Sequence, residues 1–324
     1  MEITLRPFQM PLAYTAKHSP KTNRTAAVTT QASQYTYAER IHKALLYIEQ
    51  HLAEDLSLDA IAEQACLSPF HFHRLFTGMV GQSVKAYQRR LRLDRAASWL
   101  LYSSRSIADI ALEAGYESQE AFTRAFKTHF GTPPKRFRLH GSPELLGRGG
   151  SPRETLCAHP DYALDRFGLS ITIRTIPDTA VLSVRHVGSY YDCGWAWETL
   201  CGWAGAQGLL TPQTRFFGVS HDDPAITQDN FIRYDACLSV SGEVPPPPAP
   251  ITPITIQGGD YACCTYTGPY DNLQAVYAAI CGQGIPPLGR EFRNSPSVEC
   301  YLNTPEQTAP EDLRTEVRIP LVAR

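Results

Sequence analysis

Apolar positions repeat at helical spacing twice in the front of the chain, about fifty residues apart and in nearly the same order. Ser57 precedes Leu58, Ile61, Ala62 and Ala65, and Ser106 precedes Ile107, Ile110, Ala111 and Ala114. Each set is an i, i+3, i+4, i+7 stripe behind a serine suited to capping a helix. A short turn follows each, Cys66-Leu67-Ser68 in one and Gly115-Tyr116-Glu117-Ser118 in the other. Second stripes come next: Phe72, Leu75 and Phe76, then Phe122, Ala125 and Phe126. Arg74 and Arg124 hold equivalent places, and Gly81 and Gly131 close the two units. The pattern predicts two helix-turn-helix units. A helix from Tyr37 to about His51 precedes them, and a long helix from about Ser83 to Leu101 spaces them. Two such units suit adjacent major grooves on one face of DNA, about 34 Å apart.

The back half changes period. Leu169, Ile171 and Ile173 alternate, and a strand pattern runs from Val181 to Val187. A second repeat appears there at an offset of 80: Arg185 to Tyr190 aligns with Thr265 to Tyr270, and Leu200-Cys201-Gly202 with Ile280-Cys281-Gly282. In each copy a strand reaches Gly-x-Tyr, a helix follows, and further strands come next, such as Phe216 to Ser220 and Val298 to Leu302. The Pro245–Pro248 run, read as extended polyproline II, joins the copies. Two β-α-β-β units would pack two helices against one antiparallel sheet and leave a ligand cleft between the halves. The fold class is therefore α+β multidomain, an all-α double helix-turn-helix domain followed by a duplicated β-α-β-β domain. The boundaries fall at 1–35 (a disordered tail), 36–140 (the helical domain), 141–168 (a Gly- and Pro-bearing linker) and 169–324.

Composition refines this. The chain has 324 residues, 43% of them hydrophobic, with no apolar run long enough to span a bilayer and no secretory signal pattern. The expectation is a cytoplasmic protein without a membrane partner. Nine scattered cysteines fit free thiols, and Cys263-Cys264 fits small buried residues in a strand. Residues 1–35 and 36–140 each carry +3, whereas 169–324 carry −7. A basic front half suits a phosphate partner, and an acidic back half suits a cationic ligand.

With Phe72, Leu75 and Phe76 in the core, Phe70, His71, His73, Arg74 and Thr77 face outward. In the second unit the outward set is Gln119, Glu120, Thr123, Arg124 and Lys127. Arginine bonds guanine, glutamine bonds adenine, and glutamate accepts from the cytosine amino group. Thr77 and Lys127, a turn later, suit backbone phosphates. His71 and His73 lie at i and i+2, on different helix faces, so no metal site is expected.

Residues 37–140 resemble the AraC/XylS-family DNA-binding domain. The resemblance is carried by Leu56 to Ala62, Ser68 to Phe76, Ile107 to Ala111, Gly115-Tyr116, Phe122 to Lys127 and Phe130 to Pro134. It implies a transcription regulator, an activator, that binds operator or promoter DNA, with RNA polymerase as a further partner. It also implies base contacts from Phe70, His73 and Arg74 and from Gln119, Glu120, Thr123 and Arg124.

Residues 169–324 resemble the GyrI-like, SHS2-type effector-binding domain, through Arg233 to Cys237, Gly268-Pro269-Tyr270, Pro296 to Tyr301 and Thr315 to Pro320. The resemblance implies a small-molecule pocket with Glu299 as its acidic residue. On a strand Glu299 and Tyr301 share one face. A carboxylate beside aromatic rings suits a hydrophobic cation, and Tyr190, Trp195, Trp197, Tyr266 and Tyr270 are the candidate walls. No cofactor and no catalytic residue is assigned. Two other readings stay open: a GyrI-like hydrolase using Glu299 and Tyr301, and a module that binds a protein such as RNA polymerase or gyrase.

Overall fold

The computed structural model describes residues 36–146 and 159–324. The tail read as disordered and the middle of the linker lie outside the described residues. Among the described residues, seven α-helices form the front half: α1 (Tyr37–Gln50), α2 (Leu58–Gln64), α3 (Pro69–Val80), α4 (Val84–Tyr102), α5 (Ile107–Glu113), α6 (Gln119–Phe130) and α7 (Pro134–His140). Their starts follow the serines. Ser57, Ser68, Ser83, Ser106 and Ser118 each accept a backbone N–H three residues on, and Thr36 forms a capping box with Glu39. Such caps satisfy amides that have no partner inside the helix. Gly81 and Gly131 end α3 and α6 at φ 79° and 72°, a left-handed turn that a Cβ disfavours.

The back half is one eight-stranded antiparallel sheet with two helices. Its elements are β1 (Thr172–Ile176), β2 (Thr179–Val187), α8 (Gly194–Ala206), β3 (Phe216–Ser220) and β4 (Arg233–Ser239). These are followed by β5 (Thr252–Ile256), β6 (Gly259–Thr267), α9 (Leu273–Ala279), β7 (Ser297–Tyr301) and β8 (Arg314–Pro320). The strand order is β1-β6-β8-β7-β3-β4-β2-β5. The expected duplication is present, with an exchange: β1 pairs with β6 of the second copy, and β5 pairs with β2 of the first. β3 and β7 meet at the centre, where Gly218 pairs with Glu299. The helices cover one face. On the other, Ile176 of β1 and Ile254 and Ile256 of β5 pack with Phe217, Val219, Val298 and Cys300 around a separate core.

The cores do not follow the sequence boundaries. The second helix-turn-helix unit has its own core, Leu93, Ile110, Phe122, Phe126 and Phe137. The first unit shares one core with the back half: Ile41, Phe72 and Phe76 belong to the same cluster as Val276, Ile280, Val317 and Ile319. Part of the stretch read as linker joins in, since Tyr162, Leu164 and Phe167, in short 3-10 turns, pack against it. Arg40, 2% exposed, reaches the carbonyls of Ala65 and Cys66 and pairs with Glu291 at 2.7 Å. Tyr37 donates to the Arg290 carbonyl at 3.0 Å and accepts from the Phe292 N–H at 3.1 Å. The adjacent Cys263 and Cys264 are both buried, and burial pushes the Cys264 thiol up to about 12. No helix among the described residues is long and apolar enough to cross a membrane.

Candidate DNA-reading helices and effector pocket

In the second unit, Phe122 and Phe126 anchor α6 in the core, fully buried. The opposite side carries Gln119, Glu120, Arg124 and Lys127, all exposed, with Thr123 half-buried. This helix presents an exposed polar face.

The first unit differs. Phe70, His73, Arg74 and Thr77 do point away from Phe72, Leu75 and Phe76, but not to solvent. His71, His73 and Arg74 are only 3%, 5% and 6% exposed, and Phe70 and Thr77 are half-buried. The expected exposure fails because the back-half domain lies over α3. The Asp223 carboxylate sits 3.1 Å from Nδ1 of His73 and 3.8 Å from Nε of Arg74. Burial works to raise the Asp223 pKa, but the hydrogen bond to His73 and the Arg74 charge hold it below the usual carboxylate range. Arg74 donates to Ser297 Oγ at 3.1 Å, and its guanidinium lies 4.0 Å from the ring centre of Phe70 and 3.6 Å from that of Tyr277. Beyond α9 the chain continues as a π-helical turn, Ile280–Gly284. Gly282 there touches Gly78 of α3 so closely that a Cβ on Gly282 would lie 2.5 Å from the Gly78 backbone.

The residues expected to line an effector site build up from β7. Glu299 and Tyr301 share a face, as alternation requires, and Tyr301 donates to Glu299 Oε2 at 2.7 Å. Tyr277 donates to Oε1 at 2.8 Å and Ser220 to the same oxygen at 3.2 Å. Glu299 is 6% exposed, and among the described residues it forms no ion pair. Its carboxylate is thus held by three neutral hydroxyls. Aromatic rings surround them. Tyr234 lies 2.9 Å, hydroxyl to hydroxyl, from Tyr301; Trp197 packs on Tyr234 and Tyr301; Tyr270 packs on Tyr301; and Tyr190 packs on Tyr234. Burial, then the nearby Glu299 charge, drive the phenols of Tyr234, Tyr277 and Tyr301 well above their ordinary value and that of Tyr270 up to about 12. All remain neutral donors at physiological pH. Gly218 makes room: a Cβ there would meet the hydroxyls of Tyr301 and Tyr234 at 2.5 and 2.6 Å.

Two expected wall residues are elsewhere. Trp195 is 44% exposed and donates its indole N–H to His186 at 2.8 Å. Tyr266 is buried in the core shared with the first helical unit, where its hydroxyl accepts from Asn272 at 3.0 Å. Tyr234, Tyr277, Ser220, Gly218 and Asp223 escaped the sequence reading. The repeat held a signal for one of them, since Tyr277 stands 80 positions after Trp197 as Tyr270 does after Tyr190.

The matches to known proteins agree with this division. The GyrI-like small molecule binding domain matches residues 169–322, and a helix-turn-helix domain matches residues 61–140. The multiple antibiotic resistance protein MarA of Salmonella typhimurium is 36% identical over 114 residues, 34% of this chain and 90% of that protein. The chain belongs to the AraC family of DNA-binding transcription regulators. The right origin-binding protein of Escherichia coli is 28% identical to this regulator over 305 residues, 87% of this chain and 97% of the relative. The solved C-terminal domain of EcmrR is similar to 48% of this regulator and 99% of that domain, at 18% identity and a TM-score of 0.40. This AraC-family regulator thus couples a helical DNA-binding region to a GyrI-like domain.

Proposed function

We propose that this regulator senses a small cationic aromatic molecule in its GyrI-like domain, and that it reads its operator through Gln119, Glu120, Thr123, Arg124 and Lys127 of α6 and through Phe70, His73, Arg74 and Thr77 of α3. One observation carries the ligand class: Glu299 is buried among aromatic rings with three hydroxyl donors and, among the described residues, no ion pair of its own. A buried carboxylate so placed attracts a cation that can also stack on rings. The same hydrogen bonds favour sensing over hydrolysis, because Tyr301 donates its proton to Glu299 and is itself a strongly neutral phenol. The region works as a recognition pocket rather than as an acid and nucleophile pair.

Titration calorimetry with benzyltrimethylammonium and its uncharged carbon isostere, neopentylbenzene, tests this. Glu299→Gln keeps the shape and deletes the charge. It should weaken the cation by about 3–5 kcal/mol, the cost of leaving one member of a desolvated charge pair alone, and change the isostere little. Equal losses for both, or no binding of the cation by the native protein, would reject the cation pocket.

A further inference from the structure

Among the described residues, only one of the two candidate recognition helices has its polar face uncovered. Arg124 of α6 is exposed, while its equivalent Arg74 of α3 is buried under the GyrI-like domain. We infer that this is a masked state, in which Arg74 and His73 are held by the effector domain in place of DNA and a cationic effector at Glu299 releases them. The cover resembles a nucleic-acid site in its chemistry. Asp223 supplies an anionic oxygen to His73 and Arg74, Ser297 Oγ accepts from Arg74, and Tyr277 gives it a flat ring at 3.6 Å. DNA would offer phosphate oxygens and base-edge acceptors to the same side chains. One set of donors cannot serve both, so docking and first-site DNA binding exclude each other. The opposite charges of the two halves favour the docked arrangement.

The mask connects to the pocket through one side chain. The Tyr277 ring carries Arg74 on its face while its hydroxyl donates to Glu299. A cation drawn to Glu299 and to the neighbouring rings competes for that hydrogen bond and for that ring. Arg74 is therefore a tethered cation already seated beside the effector's place. The close Gly78–Gly282 contact makes the docking an all-or-none fit between α3 and the π-helical turn, because no side chain there can adjust. Ligand and DNA then act on one equilibrium, and each must raise the affinity for the other by the same factor.

The effector half of this inference rests on the cation reading of Glu299; the mask does not, and the experiment separates them. Full-length protein is compared with Asp223→Arg and with the milder Asp223→Asn. A DNA duplex selected from a random pool by the Asp223→Arg protein serves as the common target. Asp223→Arg should bind it at least about tenfold more tightly than the native protein, as expected when a minor competent state becomes dominant. Its footprint should be longer by about one helical turn, about 10 base pairs. Amide exchange in residues 69–80 should quicken, while that of α6 and β4 stays slow and shows the fold intact. Asp223→Asn should shift each readout the same way by less. Benzyltrimethylammonium should reproduce these changes in the native protein and not in Glu299→Gln. Unchanged exchange, affinity and footprint in both Asp223 variants would overturn the mask. Unmasking by Asp223→Arg without cation binding would reject the pocket reading alone. Cation binding that leaves α3 protected would overturn the coupling.

Discussion

His71 shows what burial of one polar side chain does at the domain contact. Its ring stacks on Phe292 at 4.8 Å, Nδ1 hydrogen-bonds Ser68 Oγ at 3.0 Å, and Nε2 is buried without a hydrogen-bond partner among the described residues. Burial, then the Arg74 charge, push its pKa down to about 3. An unfolded histidine titrates near 6.5, so between roughly 6.5 and 3 the unfolded chain binds the extra proton. Stability therefore falls as pH drops through that window, by at most about 1.4 kcal/mol per unit, and above it His71 adds no slope. Urea midpoints measured from pH 7 to 4.5 should fall more steeply for the native protein than for His71→Phe. Matching slopes would mean that the ring finds a partner when charged. The sequence did expose the residue types here, but not their surroundings. Phe70, His73, Arg74 and Thr77 leave the helical core as the stripe requires, yet a stripe cannot distinguish a face awaiting DNA from a face awaiting another domain. Trp195 and Tyr266 failed for a related reason. Each lies close along the chain to a Gly-x-Tyr junction, but the start of α8 turns Trp195 toward His186 and strand alternation turns Tyr266 into the core.

Helices and strands were the legible level, because their signals are local. Five serine caps set five helix starts, and the offset of 80 recovers both copies of the strand–helix unit. What lay beyond the sequence was pairing between copies, since a repeat gives units without saying which strand joins which. The central pair β3–β7 is the consequence that matters for the pocket. There Gly218 stands opposite Glu299, and the two are also equivalent positions of the repeat, 81 residues apart. One copy supplies the carboxylate and the other supplies a position without a side chain, whose place the hydroxyls of Tyr234 and Tyr301 fill. Gly218→Ala would drive a methyl group into the hydroxyls of Tyr234 and Tyr301. It should cost about 1–3 kcal/mol of stability, as overpacking does, and abolish binding of benzyltrimethylammonium while the protein still binds DNA. Native-like cation affinity in a folded Gly218→Ala protein would show that the phenols move freely and do not shape the site.

At the scale of the whole molecule, the cooperative units do not coincide with the sequence domains. The first helical unit shares its core with the GyrI-like half, whereas the second closes on itself. An isolated 36–140 fragment should therefore keep slow amide exchange in α5 and α6 and lose it in α1 to α3, which surrender Arg290, Glu291 and Phe292 as neighbours. Equal protection of both units would show that the first needs no support. The exchanged edge strands have an older implication. Because β1 closes the second copy and β5 closes the first, neither copy alone is a finished sheet. A single-copy ancestor would have left paired edges open and met the need by swapping strands with an identical chain. Its central position would then have been alike in both chains, two glycines or two glutamates face to face. Only fusion into one polypeptide lets the copies differ. The lone carboxylate opposite Gly218 is thus a product of broken symmetry that a homodimer could not encode.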